Sequence, residues 1–207
     1  MLITRNEETP RIHPEATVAV SASIVGNVQI GASAYVDHGV VIESAGPPVV
    51  IGEESIVFAG AVIRSVGGSS RPASPAHVGA GTLVSPSCVL TGCRIGSNCY
   101  VATGAIVLQE AVIGDHVRIG AGAIVHAATR IPDRARVGMR HVAVPAPEGF
   151  LATANVEEAR RFLTAADFFE TAFGAQQKDQ ARLHAQVMSA LLEEVHGWQD
   201  ELFQPGV

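Results

Sequence analysis

Residues 112–125 read VIGDHVRIGAGAIV, and within them an aliphatic side chain returns at Ile113, Ile119 and Val125. The same six-residue step runs back through Val107, Val101 and Ile95 and forward to Ile131 and Val137. Upstream it runs through Ile12, Val18, Ile24, Ile30, Val36 and Ile42, then Ile51, Val57 and Ile63, then Val78, Val84 and Leu90. Glycine follows the aliphatic directly at Gly31, Gly52, Gly79, Gly96, Gly114, Gly120 and Gly138, and a small residue usually stands four places after it. A six-residue period does not fit an amphipathic helix, whose side chains realign every 3.6 residues. It fits a coil with three short sides, each pointing one aliphatic inward, with glycine at corners whose backbone bulkier residues avoid. About seven such coils stack from Ile12 to Val142, and only stacking buries their inner faces.

The composition agrees. Hydrophobic residues make up 47% and aromatics only 5%, so Val, Ile, Ala and Leu must fill the core. The net charge is −6 with a single lysine, Lys178, and no run of cations tracks a phosphate backbone, which argues against a nucleic-acid partner. The start, Met1 to Asn6, lacks the basic and apolar halves of a signal peptide. No apolar run approaches the roughly 20 residues that span a bilayer. Three cysteines (Cys88, Cys93 and Cys99) are an odd number, which suits buried thiols in a reducing cytoplasm.

The period breaks three times. Ile42 to Ile51 is nine residues, Ile63 to Val78 fifteen, and Leu90 to Ile95 five. Counting three sides per coil, all three breaks fall at one corner. That corner is either a binding edge or merely the one that tolerates length changes. The longest insertion, Ser65 to His77, is rich in Gly and Ser with two prolines, a composition expected to be mobile.

From Ile12 to about Val142 the chain resembles the γ-class carbonic anhydrase-like branch of the hexapeptide transferases. The likeness rests on Ile12-His13-Pro14, the step into Val50-Ile51-Gly52, and Leu90-Thr91-Gly92-Cys93-Arg94 before Ile95-Gly96. It extends to Ile119-Gly120-Ala121-Gly122-Ala123-Ile124-Val125 followed by Ile131-Pro132. The resemblance implies a mainly β fold, a left-handed parallel β-helix over residues 12–145. A lead-in of residues 1–11 and a C-terminal helical arm of residues 146–207 flank it. It also implies a homotrimer with a metal site between each pair of subunits.

The family's three metal-ligand histidines fall on Arg64, Pro86 and Thr91. Arginine offers only donors, proline has no ligating side-chain atom, and a lone threonine hydroxyl is a poor zinc ligand. The family's Arg-x-Asp pair falls on Ile42 and Ser44, and its Gln-Asp pair on Phe58 and Ala59. Without zinc nothing lowers the pKa of a bound water to about 7. No metal is therefore expected, and hydration of CO2 by the family mechanism is expected to be absent. Arg64, Thr91 and Phe58 remain as candidate binding residues of the inter-subunit site.

Other groups offer chemistry. His38 and Glu43 repeat the spacing of Pro86 and Thr91, and Glu43 shares a column with Arg64. Together they supply a base, an acid and a fixed cation, or else an ordinary surface ion pair. His77, at the end of the long insertion, resembles the general base that hexapeptide acyltransferases carry near a protruding loop; a solvated turn histidine is the plainer reading. The family's Gly-x-Pro-Ala-Lys after the last coil is absent, Gly138-Met139-Arg140-His141-Val142 standing there instead. The three cysteines read as packing rather than a zinc cluster.

Helical signals begin at Asn155-Val156-Glu157-Glu158, a capping box. Two helices are expected, about 155–173 and 176–203, carrying apolar stripes that either lock the trimer or recruit a protein partner. Three functions stand side by side. The first is a trimeric scaffold or binder of a small molecule in the inter-subunit cleft, with no cofactor, or an enzyme of altered chemistry there. The second is an acyltransferase that uses CoA with His77 or His38 as base. The third is a carbonic anhydrase with a rebuilt metal site.

Overall fold

In the computed structural model each six-residue step becomes a strand of two or three residues. The structure describes residues 1–68, 71–163, 185, 187–189, 191 and 192. The strands stack into three parallel sheets that form a β-solenoid of about eight turns. The first face runs from Leu2–Ile3 through Ser23–Val25, Val41–Glu43, Val62–Arg64, Val89–Thr91, Ile106–Val107 and Ile124–Val125 to Val142–Ala146. The second runs from Arg11–Ile12 to Arg130–Ile131, and the third from Thr17–Val18 to Arg136–Val137. All three irregular steps lie at the corner between the first and second faces.

Every repeat aliphatic from Ile24 to Val137 is at most 3% exposed, while Ile12 and Val18, in the end turn, are partly covered. The small residues four places on fill the corners of the prism. At the corner after the second face they also pair with backbone. Ser55 Oγ donates to Gly79 O at 2.9 Å, Thr82 Oγ1 donates to Gly96 O at 2.9 Å, and Cys99 Sγ lies 3.1 Å from Gly114 O. All three cysteines are buried, and burial pushes the Cys93 thiol up to about 12, so none is poised as a nucleophile.

The glycines after the aliphatic serve a purpose other than the one expected. None of them has a positive φ. Gly31, Gly52, Gly79, Gly96 and Gly114 form a column in which a Cβ would lie about 2.3–2.6 Å from atoms of the next coil. The left-handed positions belong to other residues, among them Ser33, Glu54, Asn98 and Gly104.

Three segments depart from expectation. Leu2–Ile3 pairs with Ser23–Val25 and opens the first face ahead of Ile12, which accounts for the additional turn. Arg5 and Glu8 then close a tight turn through Asn6 (φ 51°) and Glu7 (φ 63°), the primed geometry of a two-residue hairpin. The long insertion is an antiparallel hairpin of Val66–Gly68 and Arg71–Ser74, seated on Gly92 by buried Val66 and Ser74. Residues 69 and 70, in the Gly- and Ser-rich part of the insertion expected to be mobile, lie outside the described residues.

At the far end Val142–Ala146 turns back into Gly149–Thr153 as an antiparallel pair. The Asn155 Oδ1 caps the following helix, accepting from the Glu157 and Glu158 amides at 3.0 and 3.3 Å. That helix is described from Val156 to Leu163 and packs on the reversed strands. Its expected continuation to 173 and most of the expected helix 176–203 lie outside the described residues. Of the latter, Ala185, Val187–Ser189, Leu191 and Leu192 are helical, with Val187 buried and Met188 and Leu192 exposed. No described helix is long and apolar enough to cross a membrane.

Candidate functional site on the first face

A strand residue that follows an inward aliphatic points outward, so the first face presents one outward column of Val25, Glu43, Arg64 and Thr91. Glu43 is its electrostatic centre. Its Oε1 accepts from Arg5 Nη1 at 2.6 Å, and its Oε2 lies 3.7 Å from Arg64 Nη2. Arg5 is 4% exposed, lies over Gly26 and also donates to Ser44 O at 3.3 Å. Two cations thus share one carboxylate, leaving the cluster a net charge of +1. Arg64 is about one-third exposed, yet its Nε is buried without a hydrogen-bond partner among the described residues. An unmet buried N–H costs free energy until an acceptor reaches it.

Of the expected residues, Glu43 and Arg64 meet and Thr91 lies on the next rung beside Arg64. His38 does not join them. It is exposed at the corner entering the first face, its Nδ1 2.8 Å from Ser21 Oγ. Its amide donates to Asp37 Oδ1 at 2.7 Å and so holds the Asp37 carboxyl below its ordinary pKa, while the Asp37 charge raises the neighbouring Tyr35 phenol. Phe58 is half-buried on the third face, and Pro86 is exposed at the same corner as His38. His77 lies on the outer side of the second face between Val50 and Arg94, away from Glu43 and Arg64. It lines an open groove of about 890 Å³ with His13, Gln29 and Glu53.

The placement of the family's Arg-x-Asp pair needs correction. Ile42 is fully buried inside the prism, a position no guanidinium takes. The outward residue of that strand is Glu43, which pairs across the rung with Arg64. Arg5 was missed because nothing in the lead-in repeats. Its only local signal is the Arg5-Asn6-Glu7-Glu8 turn. The outward column continues through Leu108 to His126, whose half-buried imidazole is held neutral to lower pH by desolvation.

The donor set does not fit the zinc that the resemblance implies. Arg64, Pro86 and Thr91 supply no imidazole, thiolate or carboxylate. Among the described residues no three His, Cys, Asp or Glu side chains converge on a common point.

Residues 110–139 match the family model described as the hexapeptide repeat of succinyl-transferase. Over 107 residues, 51% of this chain, the sequence is 26% identical to the mitochondrial γ-carbonic anhydrase 1 of Arabidopsis thaliana. That stretch spans only 39% of the relative's length. Among solved structures, a suspected acetyltransferase of Bacillus cereus has a TM-score of 0.61 at 20% identity, covering 95% of this chain and 98% of that one. A hexapeptide transferase family protein of Anaplasma phagocytophilum has a TM-score of 0.57 at 18% identity, covering 95% and 96%. At these identities the two structures share its fold.

Proposed function

We propose that this chain, a hexapeptide-repeat protein of the left-handed β-helix transferase superfamily and a distant homologue of γ-carbonic anhydrase, is a cytoplasmic homotrimer that binds a small molecule at its subunit boundaries without zinc chemistry. The observation that carries the reading is Arg64. It stands where a metal ligand is expected, is held by Glu43, and keeps a buried, unmet Nε–H for an acceptor atom of a ligand. Beside this cluster the first face presents an outward ladder of half-buried aliphatics, Val41, Val62, Val89, Ile106, Ile124 and Val142. Such a stripe favours association with another copy. The test is metal content with stopped-flow CO2 hydration on protein sized by light scattering. We expect a mass three times that of the 21.5 kDa chain, no stoichiometric zinc, and hydration at the uncatalysed rate. One zinc per boundary together with catalysed hydration would reinstate the rebuilt-site reading.

The groove beside His77 supports a second reading, acyl transfer from CoA, because it is long, open and carries an exposed imidazole. CoA should then raise the melting temperature, and His77→Ala should abolish turnover while sparing CoA binding. No thermal shift at millimolar CoA removes this reading.

A further inference from the structure

The second face carries a cleft that neither reading uses. Its volume is about 320 Å³, and it opens between the hairpin, at Ala73 to Pro75, and the rungs below. The hairpin wall is pinned where Val66 and Ser74 sit on Gly92, so the cleft is preformed. On the opposite wall Arg94, Val112 and Arg130 occupy one outward column, by the registers Arg94↔Val112 and Val112↔Arg130. Two rungs at ~4.8 Å each set the two arginine backbones about 10 Å apart. Both side chains are exposed, and neither forms an ion pair among the described residues. Between them the lining is apolar: Ala111, Val112 and Ala128. The remaining charge is Glu110, exposed at the corner of the middle rung.

We infer that this cleft binds a small organic dianion whose two acid groups are joined by a short apolar spacer. Each guanidinium presents a planar fork of donors that pairs with one carboxylate, and the spacer lies over Val112. Side chains rooted about 10 Å apart with an apolar surface between them match two separated acid groups better than one compact anion. Glu110 sets the upper limit, because a third acid group would face its carboxylate. The arginines are 36 residues apart in sequence, and only the stacking of the turns brings them to one wall.

Calorimetric titration of the full chain with glutarate tests this, with butyrate, inorganic phosphate and tricarballylate as comparisons. Glutarate should bind once per chain, with butyrate and phosphate about tenfold weaker or worse. Arg94→Gln and Arg130→Gln should each weaken glutarate about tenfold, while Arg118→Gln on the third face leaves it unchanged. Glu110→Gln should tighten tricarballylate, a gain that no loss of folding can mimic. Phosphate binding as tightly as glutarate would reduce the cleft to a single-anion site and overturn the proposal. So would glutarate binding that ignores both arginine substitutions, or no glutarate binding at all. None of these results bears on Arg64, which lies on the first face.

Discussion

Gly79→Ala is expected to destabilise the chain by about 3 kcal/mol, although it adds one methyl group. A Cβ at Gly79 would lie 2.5 Å from the Gly96 carbonyl carbon and 2.6 Å from its oxygen. Those are backbone atoms of the next rung, and they cannot step aside without stretching the ladder that pairs Val78 with Ile95. The neighbours Gly52 and Gly96 meet equal obstruction above and below, so strain introduced at one rung has nowhere to relax. The informative control is Gly104, at φ 69° with nothing within 4 Å of its missing Cβ. Its column already holds Ser87 at φ 58° and Arg140 at φ 56°. Gly104→Asn should therefore cost less than about 1 kcal/mol, since asparagine tolerates the left-handed region. Urea unfolding at one fixed protein concentration compares the two. Equal midpoints for both variants would mean that rung spacing is not what these glycines protect.

Arg5→Ala should lower stability by about 2–3 kcal/mol, and Arg64→Ala by no more than about 1 kcal/mol. The two arginines share Glu43, so the difference lies in burial. Arg5 is 4% exposed with its guanidinium 2.6 Å from Glu43, and its loss leaves a mostly buried carboxylate with only the more distant Arg64. Arg64 is 35% exposed at 3.7 Å, where solvent screens the interaction. In the Arg5→Ala background, Glu43→Gln should recover part of the loss by removing the uncompensated charge. Thermal melts of these three variants beside the parent chain give the answer. A larger effect from Arg64→Ala would transfer the structural role to the residue proposed here to meet a ligand.

The repeat was legible because each turn repeats the same demand. Each side of each turn needs an inward aliphatic, and every repeat aliphatic from Ile24 to Val137 is buried, including those that flank the three breaks in the step. The corner that bears the insertions followed from counting. What lay beyond the sequence was set by contacts that no period encodes. Arg5 is buried because its hairpin folds onto Gly26 and Glu43, residues more than twenty positions away. The two described strands of the hairpin after Ser65 are seated by Val66 and Ser74 on Gly92, a contact that the Gly and Ser content does not reveal. The post-aliphatic glycines look like corner residues in the sequence, which shows where a Cβ is missing but not the backbone of the next rung that stands about 2.5 Å away. Glu43 and Arg64 were correctly set in one column because the period fixes neighbours across rungs, and their ion pair at 3.7 Å follows from it. The spacing also grouped His38 with them, and there it misled, because His38 lies at the corner before the strand that carries Glu43 and faces Ser21 instead.

A stack of parallel rungs is in principle endless, since each turn offers the next the hydrogen-bonding edge it has just used. The antiparallel return of Gly149–Thr153 along Val142–Ala146 breaks that rule at one end. The strand runs the wrong way for another turn to continue the first face, and it also touches Arg130–Ile131, the last rung of the second. Its reversed direction is of the kind that opposes end-to-end stacking of further copies, since an open rung edge is otherwise a template for another strand.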